Sequence, residues 1–232
     1  EPDFAALEST DLSKVKIMWT GYPHMPTGAP GSLALFEKLV AFAHKHQILL
    51  VNDNPYGFIL NDNPVSILQV DGAKDVAIEL NSLSKTFSMA GWRVGMVLGK
   101  ADFIEAILKV KSNMDSGMFY GIQKGAIAAL QLEPDWFVAQ NAIYAERHAL
   151  VFELAHLLGC SFDMKALGLF VWAKLPENTQ PAEKFIDEIL YDKNIFITPG
   201  TVFGSNGEGY IRFSLCVSAQ KIQEAIQRFK QN

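Results

Sequence analysis

Cysteine is scarce: Cys160 and Cys216 are the only two among 232 residues. They sit in Leu158-Gly159-Cys160-Ser161-Phe162 and Ser214-Leu215-Cys216-Val217, without the spacing of a metal knuckle. A disulfide-stapled framework and a cysteine-held metal are thereby excluded, no metal is expected, and both thiols are expected in the core. No apolar run approaches the roughly 20 residues that cross a bilayer. Glu1-Pro2-Asp3 has nothing of a signal peptide's basic and apolar start, so no membrane partner and a cytoplasmic location are expected. Positive charge is thin as well. The 20 Lys and Arg are scattered among 25 Asp and Glu, the formal net charge is -5, and no basic stripe offers a footprint for nucleic acid. A small molecule is the default partner. Repeats, low-complexity tracts and flexible linkers are missing, and so is an initiating methionine: the chain begins at Glu1 and is expected to be a piece of something longer.

What is present is an ordinary globular composition, 49% hydrophobic and 19% charged, long enough to bury a core. Val15 to Trp19 alternates and runs into Gly21-Tyr22-Pro23, which predicts a strand followed by a loop. Leu33, Phe36, Leu39, Val40 and Ala43 recur at helical spacing behind Ser32, an N-cap residue, and the apolar run Ile48 to Val51 follows. A strand without alternation suits a sheet covered on both faces, so this is a strand, helix, strand crossover in a parallel sheet. Further strands are predicted at Asp75 to Leu80 and Gly95 to Leu98, both buried, with helices at Ala101 to Lys111 and Gln123 to Leu132. Asp135 is expected to cap a long helix that reaches Leu158 and stops at Gly159. Beyond it come strand (Leu169 to Leu175), helix (Ala182 to Tyr191), strands (Ile195 to Thr198; Tyr210 to Leu215) and a last helix (Ala219 to Lys230). The fold class is α/β: a mostly parallel sheet with flanking helices over 1–134, then a long connecting helix and a small C-terminal α+β domain over 135–232.

Four segments, the first of them too polar and too Gly-rich for a core element, put polar groups in or beside predicted strands. Ser82-Leu83-Ser84-Lys85-Thr86-Phe87-Ser88-Met89-Ala90-Gly91-Trp92-Arg93-Val94-Gly95 lies between two of them, and loops at the carboxyl edge of an α/β sheet are where ligands bind. Asn52-Asp53-Asn54-Pro55-Tyr56 puts an acid and a phenol at the end of another; Tyr22-Pro23-His24-Met25-Pro26-Thr27-Gly28 ends a third; Arg212 stands inside the strand Tyr210 to Ser214. Singly, each has a plain explanation: a solvated lysine, a turn, a proline-bracketed loop, an ion pair.

Together and in this order they resemble the class I/II aminotransferases, the group that includes aspartate aminotransferase. The resemblance runs from about Val15 to the end. Its specific part is Ser-x-Ser-Lys with Gly-x-Arg-x-Gly, joined to Asp-x-x-Tyr 32 residues before the lysine. It implies pyridoxal 5'-phosphate (PLP), with Lys85 as the lysine that binds it covalently and moves the proton in catalysis. It further implies Asp53 on the ring nitrogen, Tyr56 on the ring oxygen, and Ser82 and Arg93 on the phosphate. Arg212 is implied to hold the substrate carboxylate, and the substrates to be an amino acid and a 2-oxo acid exchanged by a homodimer. Gly168-Leu169-Phe170-Val171-Trp172 resembles the family's substrate-facing strand, and Thr198 to Gly204 the loop before the carboxylate-binding arginine. Ser116-Gly117-Met118-Phe119 resembles the stretch that approaches the neighbouring subunit's site.

Two departures stand out. The residue before Pro26-Thr27-Gly28 is usually Asn in the family; here it is Met25, which donates no hydrogen bond, so either His24 takes over or a contact is lost. The family's phosphate loop, the aromatic that stacks on the ring and a partner-subunit tyrosine have no counterpart here. Two other functions remain in view: a PLP-dependent lyase or decarboxylase on the same fold, and a non-catalytic binding or regulatory module. A module without chemistry has no need of Lys85, Asp53, Tyr56, Arg93 and Arg212 together.

Overall fold

The computed structural model describes every residue except Asn178, Gln180 and Asn232, so those three positions of the segment 135–232 lie outside the described residues. The chain divides into two compact units. One comprises residues 1–23, 30–58 and 62–133; the other comprises 24–29, 59–61 and 134–232.

In the first unit a short helix α1 (Phe4–Glu8) precedes β1 (Ile17–Gly21), and α2 (Leu33–His46) leads into β2 (Leu49–Asp53). Ser32 caps α2 as its sequence position foretold, its hydroxyl accepting from the Leu35 amide. The helix ends because Gln47 turns left-handed, at φ 53°. Then come α3 (Ala73–Val76), β3 (Ala77–Ser82), α4 (Leu83–Thr86), β4 (Gly95–Leu98), α5 (Ala101–Lys111) and α6 (Tyr120–Leu130). Asp75 and Val76, expected to open a strand, instead close α3, a turn that starts from the left-handed Gly72. The sheet runs β1-β2-β3-β4, with β1, β2 and β3 mutually parallel and β4 antiparallel to β3.

One face of this sheet is closed by α2. Phe36, Leu39, Leu50, Ile67, Ala73 and Ala77 are wholly shielded from solvent there, each large side chain contributing roughly 2–3 kcal/mol of burial. The opposite face is covered in part: Val51 and Ile78 are buried, whereas Ile17 and Trp19 on β1 are exposed. β4, expected to be buried, is an open edge with Val97 and Leu98 exposed. A second, smaller cluster, Leu83 and Met89 with Ala129 of α6, pins the segment after β3.

The second unit carries α7 (Pro134–Leu157), β5 (Ser161–Phe162), β6 (Phe170–Lys174), α8 (Ala182–Lys193), β7 (Thr198–Pro199), β8 (Tyr210–Ser214) and α9 (Ala219–Lys230). Its sheet is antiparallel throughout, in the order β5-β6-β8-β7. Pro134 opens α7, which places Asp135 in the first turn and not at the cap; proline suits the first helical position because its missing N–H has no partner to lose there. Segment 24–29 belongs to this unit through Gly28, whose carbonyl accepts from the Leu167 amide at 2.8 Å. Cys160 is buried, which pushes its thiol up to about 11, but Cys216 is exposed, contrary to expectation; no disulfide joins them. Among the described residues no helix is long and apolar enough to cross a membrane, and no cluster of His, Cys, Asp and Glu is arranged to hold a metal.

Candidate active site

Parallel pairing of β1, β2 and β3 brings their carboxyl ends to one edge, and the register decides which residues meet there. Gly21 lies beside Asp53, and Asp53 beside Leu80, two residues short of Ser82. A Cβ on Gly21 would lie 3.4 Å from the Asp53 carbonyl oxygen, an ordinary contact. Asp53 is half-buried, and burial holds its carboxyl above the ordinary carboxylate range. Tyr56 follows in a tight turn, also half-buried. The turn is closed by a hydrogen bond from the Asn54 amide to Leu80 O at 2.9 Å, which ties the Asp53–Tyr56 segment to β3.

Ser82 ends β3 and caps α4, its Oγ accepting from the Ser84 amide at 3.1 Å and donating to Val94 O at 3.3 Å. Lys85 stands one residue further along this single helical turn, half-buried. Antiparallel pairing returns the chain: Ser82 faces Gly95, and the Leu83 amide donates to Val94 O at 3.1 Å. Arg93, next to Val94, is thereby carried back to the end of β3. It adopts a left-handed backbone, φ 56°, as does Ser88 at 54°. Two non-glycine residues in that region within one loop mark a segment whose shape is imposed by its surroundings. Arg93 Nη1 donates to Ala90 O at 2.7 Å, which fixes the direction of the side chain. Asp53, Tyr56, Ser82, Lys85 and Arg93 thus all sit at or just beyond one edge of the sheet.

Arg212 is in the second unit, on β8 opposite Trp172 of β6. Its guanidinium carbon lies 4.1 Å from the Phe170 ring centroid and 4.6 Å from that of Phe203, within cation–π range of both. Nη1 also donates to Met25 Sδ at 3.4 Å. Met25 of that loop therefore touches Arg212, and His24 Nδ1 pairs with Thr27 Oγ1 at 2.8 Å. The Phe203 loop is held tightly: a Cβ on Gly200 would come within 2.2 Å of Gly207 O, so only glycine permits that approach.

Sequence reading named the polar groups and treated Phe170 and Phe203 as context. It missed a buried polar ladder altogether, Thr20, Asn52 and Glu79, which lies across β1, β2 and β3 next to Asp53. In sequence, Asn52 and Asn54 show only the turn-forming character of residues that flank the acid.

Comparison with known proteins identifies the family. The family described as "Aminotransferase class I and II" matches residues 1–229. The LL-diaminopimelate aminotransferase of Gloeobacter violaceus is 42% identical over 231 residues, covering 99% of this chain and 59% of that protein. That of Dehalococcoides mccartyi is 42% identical over 227 residues, with 97% and 58% covered. Among solved structures, apo-BacF from Bacillus subtilis superposes with a TM-score of 0.92 at 35% identity, covering 100% of this chain and 59% of that one. An aminotransferase from Staphylococcus aureus gives 0.89 at 33%, with 99% and 61% covered. The chain therefore spans about three-fifths of the length of these relatives, and with its family match over residues 1–229 it belongs to the class I and II aminotransferases.

Proposed function

We propose that the whole protein is a PLP-dependent aminotransferase, moving an amino group between an amino acid and a 2-oxo acid. The observation that carries this is the gathering of Asp53, Tyr56, Ser82, Lys85 and Arg93 at one edge of a mostly parallel sheet. The fit to the cofactor rests on Asp53. A half-buried carboxylate whose pKa burial raises, with no ion pair among the described residues, suits a protonated ring nitrogen better than solvent. When bound, PLP supplies an electron sink for charge developing at the substrate Cα.

The chain's own residues do the rest. Lys85 is the attachment point and the base that moves the proton at Cα, a task that suits an amine on a short, fixed helical turn. Asp53 would pair with the ring nitrogen, and the Tyr56 hydroxyl with the ring oxygen. Arg93 would offer the phosphate the donors left beside its bond to Ala90 O, and Ser82, whose hydroxyl donates to Val94 O here, would add its own. Arg212 holds the substrate α-carboxylate with its planar fork, its π-faces resting against Phe170 and Phe203.

On the same reading, 1–134 is part of the PLP-binding large domain and 135–232 the connecting helix and small C-terminal domain. The enzyme is a cytoplasmic homodimer; exposed Met118, Phe119 and Tyr120 support a subunit interface near that loop. The names of the relatives make LL-diaminopimelate the first donor to try. The test is to incubate the full-length protein with a panel of amino acids and 2-oxoglutarate. Glutamate formation supports transamination; pyruvate and ammonia without glutamate mean a lyase on the same fold, and no product with any donor means a binding module.

A further inference from the structure

Glu79 is 3% exposed, and no lysine, arginine or histidine among the described residues forms an ion pair with it. A buried carboxylate in that position needs donors, and three neutral ones supply them. Asn52 Nδ2 donates to Oε2 at 3.2 Å, the Ile67 amide donates to Oε2 at 3.1 Å, and Asn54 Nδ2 donates to Oε1 at 3.4 Å. Asn52 is 0% exposed and accepts in turn from Thr20 Oγ1 at 3.3 Å.

Two of those donors flank Asp53. Side chains alternate along a strand, so Asn52 within β2 points to the face opposite Asp53; Asn54, just past the strand, reaches the same carboxylate, and Asp53 between them is directed away from it. The turn beyond is clamped by the same group. Asn54 packs so closely under Gly57 that a Cβ there would meet Asn54 Oδ1 at 2.6 Å, and Tyr56 sits between these two residues. We propose that Glu79 is a positioning residue for the Asp53–Tyr56 turn: one buried carboxylate sets both the direction of the acid and the placement of the phenol. This rests on the reading of Asp53 and Tyr56 as cofactor contacts given above, and adds a residue on the far face of the sheet that touches neither cofactor nor substrate.

The geometry also explains why an acid is needed and an amide does not serve. A glutamine turned either way presents an NH2 to Asn52 and Ile67 or to Asn54, setting donor against donor.

The experiment uses the full-length protein loaded with PLP and compares Glu79→Gln with Leu39→Ala, a core truncation away from the site that sets a reference for simple destabilisation. Three quantities are read: Tm, the PLP dissociation constant by equilibrium dialysis, and the pH titration of the bound cofactor's visible absorption band. Glu79→Gln is expected to weaken PLP binding by about tenfold, as loss of supporting partners does in other sites, and to displace the titration. Leu39→Ala is expected to lower Tm and leave the other two unchanged. If Glu79→Gln does not fold, Asn54→Ala, which removes one donor and keeps the carboxylate, is expected to move the same two readings. Variants that lose Tm yet bind and titrate as wild type overturn the proposal. Asp53→Asn separates the two levels. If it shifts the titration and Glu79→Gln does not, only the role of Glu79 falls; if Asp53→Asn is itself silent, the reading of the site falls.

Discussion

The guanidinium carbon of Arg212 lies 4.1 Å from the ring centroid of Phe170, on the paired strands β6 and β8, with Phe203 at 4.6 Å. A guanidinium against aromatic faces keeps its in-plane donors for a carboxylate, because the rings engage only its π-surface. Arg212→Lys keeps the charge and loses the fork, so KM for the amino acid is expected to rise about tenfold or more, with a smaller change in kcat. Phe203→Leu removes one ring, worth about 1 kcal/mol, and is expected to raise KM about fivefold. Steady-state kinetics on the full-length enzyme checks both; a fall in kcat with KM unchanged contradicts the role given to Arg212.

Asp53 predicts a trade between stability and function. Burial raises its pKa in the folded chain, so the folded state binds that proton more tightly than the unfolded state does. The resulting penalty is absent below the unfolded value of 3.8, grows as pH rises through the folded value and is complete above it. Asp53→Asn is therefore expected to raise the Tm of the cofactor-free protein at neutral pH, with the advantage shrinking as pH falls towards 4, and to weaken PLP binding. Thermal melts across that range settle it. A variant less stable than wild type at neutral pH contradicts the burial argument.

Gly57 predicts a packing effect. A methyl group there meets Asn54 Oδ1 at 2.6 Å and its amide carbon and nitrogen at 3.2 Å, atoms held in place from below. Gly57→Ala is expected to cost about 1–3 kcal/mol, the usual range for overpacking, in denaturant titrations. A neutral result means that the Asn54 side chain yields easily.

The 232-residue chain by itself is expected to self-associate. β1 is an edge strand with Trp19 64% exposed, and Phe119 in the loop before α6 is 74% exposed. Trp19→Lys with Phe119→Lys is expected to lower the association seen by sedimentation velocity. A monomeric wild-type chain at micromolar concentration contradicts this.

Element order and the polar groups of the site were legible because they rest on local rules. The apolar spacing of Leu33 to His46 and the cap at Ser32 announced α2, and Lys85, Arg93 and the Asp53–Tyr56 pair formed a recognisable sequence pattern. Boundaries slipped where local signals compete: Asp75 and Val76 are apolar-strand neighbours in sequence, yet Gly72 starts a helical turn over them. Cys216 lies in an apolar stretch, but one residue past the buried Leu215 the chain leaves the core. The Glu79 ladder was invisible because cross-strand partners 27 and 32 residues apart in sequence are set by register, which no local pattern encodes. Likewise, nothing in Met25 or Phe203 by itself announces contact with Arg212, 187 residues from Met25.

The most direct measurement is borohydride reduction of the full-length protein in the presence of PLP, followed by peptide mass spectrometry. One phosphopyridoxyl group per chain is expected, on the peptide that carries Lys85, and Lys85→Ala is expected to abolish it while leaving the folded state intact. Reduction that labels other lysines and spares Lys85, or labels none, contradicts the assignment of this site as a PLP site.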